Sequence, residues 1–165
     1  MAKVRVSAKV RRETEAGLRR LARAAGVFLD GDVLKRMVVD PAIHSGDDYR
    51  VDDDAFVALK KTLFKLKRIR EGDASLQIWR KAADGAAVAI AMDRHPRDPK
   101  ALHGICPAMA EAFAGGTAVE ELEFGGVPIL SVYVPVRDSM EDVVGVVEAY
   151  GSLAPQRLKV DTLDY

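Results

Sequence analysis

At 165 residues the chain fits the roughly 100–200 residues of one ordinary domain. It is long enough to bury a real core, on the order of two-thirds of the surface its unfolded form exposes. Apolar residues make up 48% and charged residues 30%, a balance that excludes an intrinsically disordered chain. The 25 basic and 25 acidic side chains cancel, so no global field draws the whole molecule to nucleic acid or acidic lipid. Locally the balance fails: Lys3, Arg5, Lys9, Arg11, Arg12, Arg19, Arg20 and Arg23 crowd an N-terminal stretch whose only acids are Glu13 and Glu15. Cys106 is the single cysteine, so an internal disulfide is excluded and the redox compartment stays open. No apolar run approaches the roughly 18 residues of a spanning helix, and the N-terminus lacks the apolar core of a signal peptide.

From about Val10 to Leu29, apolar residues at Val10, Leu18, Leu21, Ala25 and Phe28, with Ala22 and Leu29 beside them, predict one face of a long helix whose other face is basic. Asp30 and Asp32 can cap a short helix carrying Val33, Leu34, Met37 and Val38, stopped by Pro41. Residues 42–50 read as a loop. A third helix begins at Asp52, Asp53 and Asp54 and ends among Lys65, Lys67, Arg68 and Arg70. Both ends complement the helix dipole, each charge contributing about 0.3–1 kcal/mol. Its buried stripe is Phe56, Leu59, Leu63 and Leu66, and Gly72 closes it.

Beyond Gly72 the period becomes strand-like. Ser75–Ala82 and Ala86–Asp93 flank Asp84-Gly85, a hairpin turn in which both central residues tolerate positive φ. A polar loop, Arg94–Pro99, follows. Pro107 suits the first turn of a helix carrying Met109, Ala110 and Phe113 and ended by Gly115-Gly116. Strands at Thr117–Phe124, Val127–Pro135 and Val143–Tyr150 close the domain, with Gly125-Gly126 as one turn and Arg137–Asp142 as a longer one. The tail from Gly151, broken by Pro155, fits a short strand or a helix. These elements make one α+β domain over 1–165, residues 1–29 forming mainly the long helix, with helices covering one face of a five-stranded antiparallel sheet.

Three stretches carry a family resemblance: "SLQIWRKAADGAAVAIAMD" with its aromatic strand and D-G turn, "ILSVYVPVRDSMEDVVGVVEAYGSL" with its tyrosine, proline and V-G-V-V-E strand, and "LRRLARAAGVFLDGDVLKRM" followed by "DAFVALKKTLFKLKRI". Together they span most of residues 16–153 and resemble the PAS-like sensor domains known as Cache or PDC domains. The resemblance implies a PAS-like, profilin-like sheet with a long N-terminal helix and helices packed on it. It also implies a homodimer that senses a small molecule and passes occupancy through that helix to a signalling module. In such relatives the sheet face and the loop after the second strand enclose the ligand.

Catalytic patterns do not emerge. The sequence has no Gly-rich phosphate loop, no G-x-S-x-G and no H-E-x-x-H, and the reading is a non-enzyme without metal or cofactor. His44, His95 and His103 pair with nothing at ligand spacing. Asp52–Asp54 suit a hard cation, but the start of a helix already accounts for them. Cys106 beside a helix N-terminus is open to a lowered pKa, though a small buried thiol is the favoured reading. The basic run Lys60–Arg70 lacks the aromatic residues that single-strand binders interleave, and it reads as a solvated face, with no nucleic acid as partner.

The supported site is a ligand face. Alternation puts Ile129, Ser131 and Tyr133 on one side of their strand, and Gln77 and Trp79 share a side of theirs. Arg94 and His95 leave the second strand toward the capping loop, where Arg94 can pair with a carboxylate in a two-point contact. The expected ligand site is therefore Trp79, Arg94, His95, Ser131 and Tyr133, with an organic acid or amino acid as ligand. Against it stands a reading of Trp79 and Tyr133 as core aromatics. A Roadblock-type platform for a small GTPase or assembly partner has nearly the same element order and needs no ligand. The location expected from the chain alone is cytoplasmic, the alternative being an extracytoplasmic fragment of a membrane receptor.

Overall fold

Ser7 starts the first helix by accepting the Val10 amide on its Oγ at 3.2 Å, satisfying one of the donors a helix N-terminus leaves open. The structure, a computed structural model, describes residues 6–37, 54–69, 74–82, 85, 87–92 and 105–154. Helix α1 runs Ala8–Phe28, α2 Gly31–Arg36 and α3 Asp54–Lys67. Strands β1 (Ser75–Lys81) and β2 (Ala87–Met92) precede α4 (Pro107–Phe113), and β3 (Ala118–Phe124), β4 (Val127–Arg137) and β5 (Val143–Ser152) follow it. All neighbours in the sheet are antiparallel, in the order β2-β1-β5-β4-β3. The last strand of the chain thus lies in the middle, with partners on both sides.

The inward stripe of α1 is Leu18, Leu21, Ala22 and Ala25. Val10 and Phe28, expected on that stripe, are 41% and 66% exposed. At 3.6 residues per turn both point roughly 70° away from the stripe's centre. Leu29, the C-cap residue, is buried. Asp30 alone caps α2, accepting the Asp32 and Val33 amides at 3.0 and 3.1 Å. Asp32, expected to share that role, instead accepts Ser139 Oγ at 3.0 Å and ties α2 to the β4–β5 turn. In α3 the buried residues are Leu59, Leu63 and Leu66, with Phe56 only partly covered.

One expectation fails outright: the helices do not all cover one face. α1, α2 and α3 pack on the face carrying Leu76, Ile78, Leu130, Val132, Val147 and Ala149. α4 packs on the other, over Trp79, Tyr133 and Val146. Two apolar layers result because the central strands are apolar on both sides, and each side needs its own cover.

α2 sits very close to the sheet. A Cβ on Gly31 would overlap the Arg137 carbonyl, and one on Gly145 would lie 2.6 Å from Leu34 Cδ2. Arg80 reaches across from β1 to donate to the Leu34 and Met37 carbonyls, covering the negative end of α2. Burial in this position lowers its pKa. On the other side of α2, Lys35 Nζ meets Asp138 Oδ2 at 2.7 Å, while Asp138 Oδ1 accepts the Met140 and Asp142 amides at 3.0 and 2.9 Å. This carboxylate builds the turn and anchors it to α2.

The turn signals match the geometry. Gly125 and Gly126 both take positive φ, 57° and 78°, as a two-residue hairpin requires. Gly85 has φ 83°. β5 continues through Ser152 into the tail, and Leu153 is held by its amide donating to the Pro128 carbonyl at 2.8 Å. α2 ends at Arg36, so Met37, expected within the helix, is instead its extended C-cap, and Val38, Pro41, Asp52, Asp53 and Gly72 lie outside the described residues.

Candidate functional site

Register brings the polar residues of the α4-side face into two rows across the sheet. In one, Gln77 pairs with Glu148, Glu148 with Tyr133 and Tyr133 with Ala118. In the next, Ser75 pairs with Tyr150, Tyr150 with Ser131 and Ser131 with Glu120. Directly opposed residues of antiparallel strands share a face, so these side chains all point toward α4.

The lid over this face is built locally. Cys106 caps α4 with its sulfur, which accepts the Met109 amide at 3.4 Å, and Pro107 takes the first helical position, where no N–H is needed. The helix ends in a Schellman motif: Gly115 donates to Ala112 O and Gly116 to Glu111 O, both at 3.0 Å, with Gly115 at φ 101°. Ala108, Met109 and Ala112 are the residues turned inward. Ala110, expected among them, is exposed, being two residues from both inward alanines. Lys81 extends over the Phe113 ring at 4.9 Å, joining β1 to the helix.

Beneath α4 lies a buried polar cluster. Trp79 Nε1 donates to Glu148 Oε2 at 2.8 Å, and Ser131 Oγ donates to Glu148 Oε1 at 2.7 Å. The two oxygens of one carboxylate are therefore held by two different strands, in a residue only 6% exposed. Next to it, Tyr133 OH donates to Glu120 Oε2 at 3.3 Å. Burial, then the negative charge of Glu148, pushes the Tyr133 phenol far above its ordinary range, so it is a neutral donor at any physiological pH. Cys106 also lies beside Glu120, and burial first, then a hydrogen bond to Glu120, raises its pKa. It is a protonated, half-buried cap and not an activated nucleophile.

Of the five residues expected at the site, Trp79, Ser131 and Tyr133 are brought together. The rings of Trp79 and Tyr133 belong to the apolar layer with Ala108, Met109, Ala112 and Val146, while the polar atoms of all three residues turn to carboxylates. Arg94 and His95 lie outside the described residues, as do His44, His103 and the Arg94–Pro99 loop. Glu148 and Glu120 are the residues that sequence reasoning missed. The available signal was positional: Glu148 alternates with Val147 and Ala149, so in a paired hairpin it must share the face of Tyr133. Among the described residues no group of three or more His, Cys, Asp or Glu side chains is placed to hold a metal ion. Among them also, no helix is long and apolar enough to cross a membrane.

No family model matches the chain, and none of the curated proteins matches it. Among solved structures it is similar to one titled "Methyl-accepting Chemotaxis protein X", at 15% identity and a TM-score of 0.46, over 88% of this chain and 58% of that one. It is similar also to the periplasmic domain of RsbU from Chlamydia trachomatis, at 14% identity and 0.41, over 87% and 52%. A third is the periplasmic sensory domain of the Campylobacter jejuni chemoreceptor Tlp1, at 8% and 0.43, over 86% and 54%. The chain spans little more than half the length of each of these structures.

Proposed function

We propose that this chain is a PAS-like sensor domain of Cache/PDC type that binds a small molecule on the α4-side face of its sheet. One observation carries the reading: the Glu148 carboxylate, held inside by Trp79 and Ser131 on the face where the family resemblance puts a ligand. A mostly apolar wall with a few fixed polar groups is the usual make-up of a small-molecule site. Such a domain works as a homodimer, with occupancy transmitted through α1, which packs on the opposite face of β4 and β5, the strands that carry Ser131, Tyr133 and Glu148.

Two carboxylates, Glu148 and Glu120, stand at this face. They disfavour a purely anionic organic acid and favour a ligand bearing an ammonium group. An amino acid satisfies them and leaves its own carboxylate for Arg94. A thermal-shift screen across amino acids, amines and organic acids tests this. A ligand at a hundred-fold excess over its Kd stabilises by about 2.7 kcal/mol, a rise of roughly 5–10 °C for a chain of this size. Melting that no member of a broad panel moves, together with no binding by calorimetry, overturns the reading.

The apolar packing of Trp79 and Tyr133 under α4 favours a second reading, a Roadblock-like platform whose sheet face is plain core. Under it Glu148→Gln changes stability and no small molecule binds. Location is open to a direct test: reporter fusions active only outside the cytoplasm support an extracytoplasmic sensor fragment, and the converse supports a cytoplasmic chain.

A further inference from the structure

Among the described residues, basic side chains gather on the outer side of two helices. α1 and α3 lie side by side on the same sheet face. Their outward positions follow from their buried ones, since a residue half a turn from the inward stripe points away from the sheet. On α1 this places Lys9, Arg12, Arg20, Arg23 and Val27 outward, with Glu13 among them as the ion-pair partner of Lys9, opposite Leu18, Ala22 and Ala25. On α3 it places Val57, Lys61 and Phe64 outward, with the acid Asp54 at the helix start, opposite Leu59, Leu63 and Leu66, and Arg68 follows as an exposed residue of the turn after the helix. The contrast with residues 105–154 is large. Between Ile105 and Ala154, Arg137 is the sole basic residue, against acids that include Glu111, Glu121, Glu123, Glu141 and Asp142.

The outward layer is also not purely polar. Val57 is 43%, Phe64 50% and Val27 80% exposed, and each is set among arginines or lysines. Cations that merely solvate a helix need no apolar neighbours at its outermost line. Basic residues interleaved with apolar ones along the outer line of a helix form the pattern of an interfacial surface: the cations meet phosphates and the apolar side chains enter the headgroup boundary. Two helices side by side make this face broad, and the acidic residues of 105–154 keep that part of the molecule from competing for it.

We infer that the outer face of α1 and α3 docks on an anionic phospholipid surface, lying on it without spanning it. The occupant is chosen by charge complementarity and by the exposed Phe64, Val57 and Val27, which a polyanion without an apolar layer leaves in water. The inference is independent of the ligand site, which lies on the opposite side of the sheet.

The test is co-sedimentation of the protein with phosphatidylcholine vesicles that contain or lack phosphatidylglycerol. Binding is expected only with phosphatidylglycerol and is weakened by salt. The double variant K61E/R68E lowers the apparent affinity roughly thirty-fold or more. Phe64→Ser lowers it with no fall in melting temperature, because the side chain is exposed. Several results overturn the inference: no binding, equal binding to phosphatidylcholine alone, or K61E/R68E binding like the parent. So does pelleting that persists without vesicles and dissolves in salt, which is head-to-tail association of basic and acidic faces between copies.

Discussion

The Trp79 indole and the Glu148 carboxylate are joined at 2.8 Å although their backbones are not directly paired: Trp79 faces Val146 and Glu148 faces Gln77. The bond is diagonal, reaching one pair along the sheet. It points the only tryptophan of the chain at the most buried charged side chain of the α4-side face. Trp79 fluorescence therefore reports on the site, and an ammonium ligand approaching Glu148 changes its intensity or emission maximum.

Replacing Glu148 tests the cluster. Glu148→Ala leaves the Trp79 N–H and the Ser131 O–H buried without this acceptor, at about 1–3 kcal/mol for each unsatisfied group. Urea denaturation should show a loss of about 2–4 kcal/mol. Glu148→Gln keeps the shape and one acceptor oxygen, so it should lose less stability but still lose ligand binding. Equal losses of stability in the two variants would mean that the hydrogen bonds are not what holds this carboxylate.

Tyr133 predicts a pH dependence at the alkaline end. Its folded pKa is raised above the ordinary value of 10.0, so its neutral form is favoured by folding. That contribution is complete below pH 10, and it diminishes as the pH rises above 10 while the unfolded chain ionises more readily. Tyrosinate absorbance should show Tyr133 titrating only with unfolding, and Tyr133→Phe should flatten the decline of stability above pH 10.

Asp138 predicts the opposite limb. The hydrogen bond from Lys35, followed by those from the Asp142 and Met140 amides, outweighs burial and holds its pKa below the ordinary 3.8. Its contribution is present above pH 3.8 and is lost as the pH falls through the lowered folded value. Asp138→Ala should lower the melting temperature at neutral pH and make the acid limb shallower. Hydrogen exchange should speed up at Met140 and Asp142, whose amides it holds.

Gly31→Ala is expected to be among the more damaging single-methyl changes. The new Cβ would meet the Arg137 carbonyl, which is backbone and cannot rotate aside, so α2 must shift from the sheet. Overpacking of this kind costs about 1–3 kcal/mol. Gly17→Ala, with open space around its Cβ, should be neutral or slightly stabilising through helix propensity. Thermal melts of the pair separate a steric effect from a general one.

Local chemistry made much of this molecule legible from sequence. Asp30 as a cap, Pro107 at the start of α4, the Gly115-Gly116 ending and the Gly125-Gly126 turn each act over a few residues. Alternation likewise placed Ser131 and Tyr133 on one face. Legibility ended where the outcome depended on which strand lies beside which. Glu148 reads along its strand as a solvent-facing residue between Val147 and Ala149. It becomes buried only because β5 is central, with β1 on one side and β4 on the other, and because α4 crosses the face it points to. The placement of α4 apart from the other helices was equally unreadable, since apolar periodicity shows that a helix has an inward face and not which layer receives it. By itself, the sequence determined the elements and the side of each strand on which a residue falls. Tertiary structure alone decided that Trp79 and Ser131 meet on one carboxylate, and that the outward cations of α1 and α3 lie on the same side of the sheet. Both depend on non-local register and layer assignment, which no window of sequence contains.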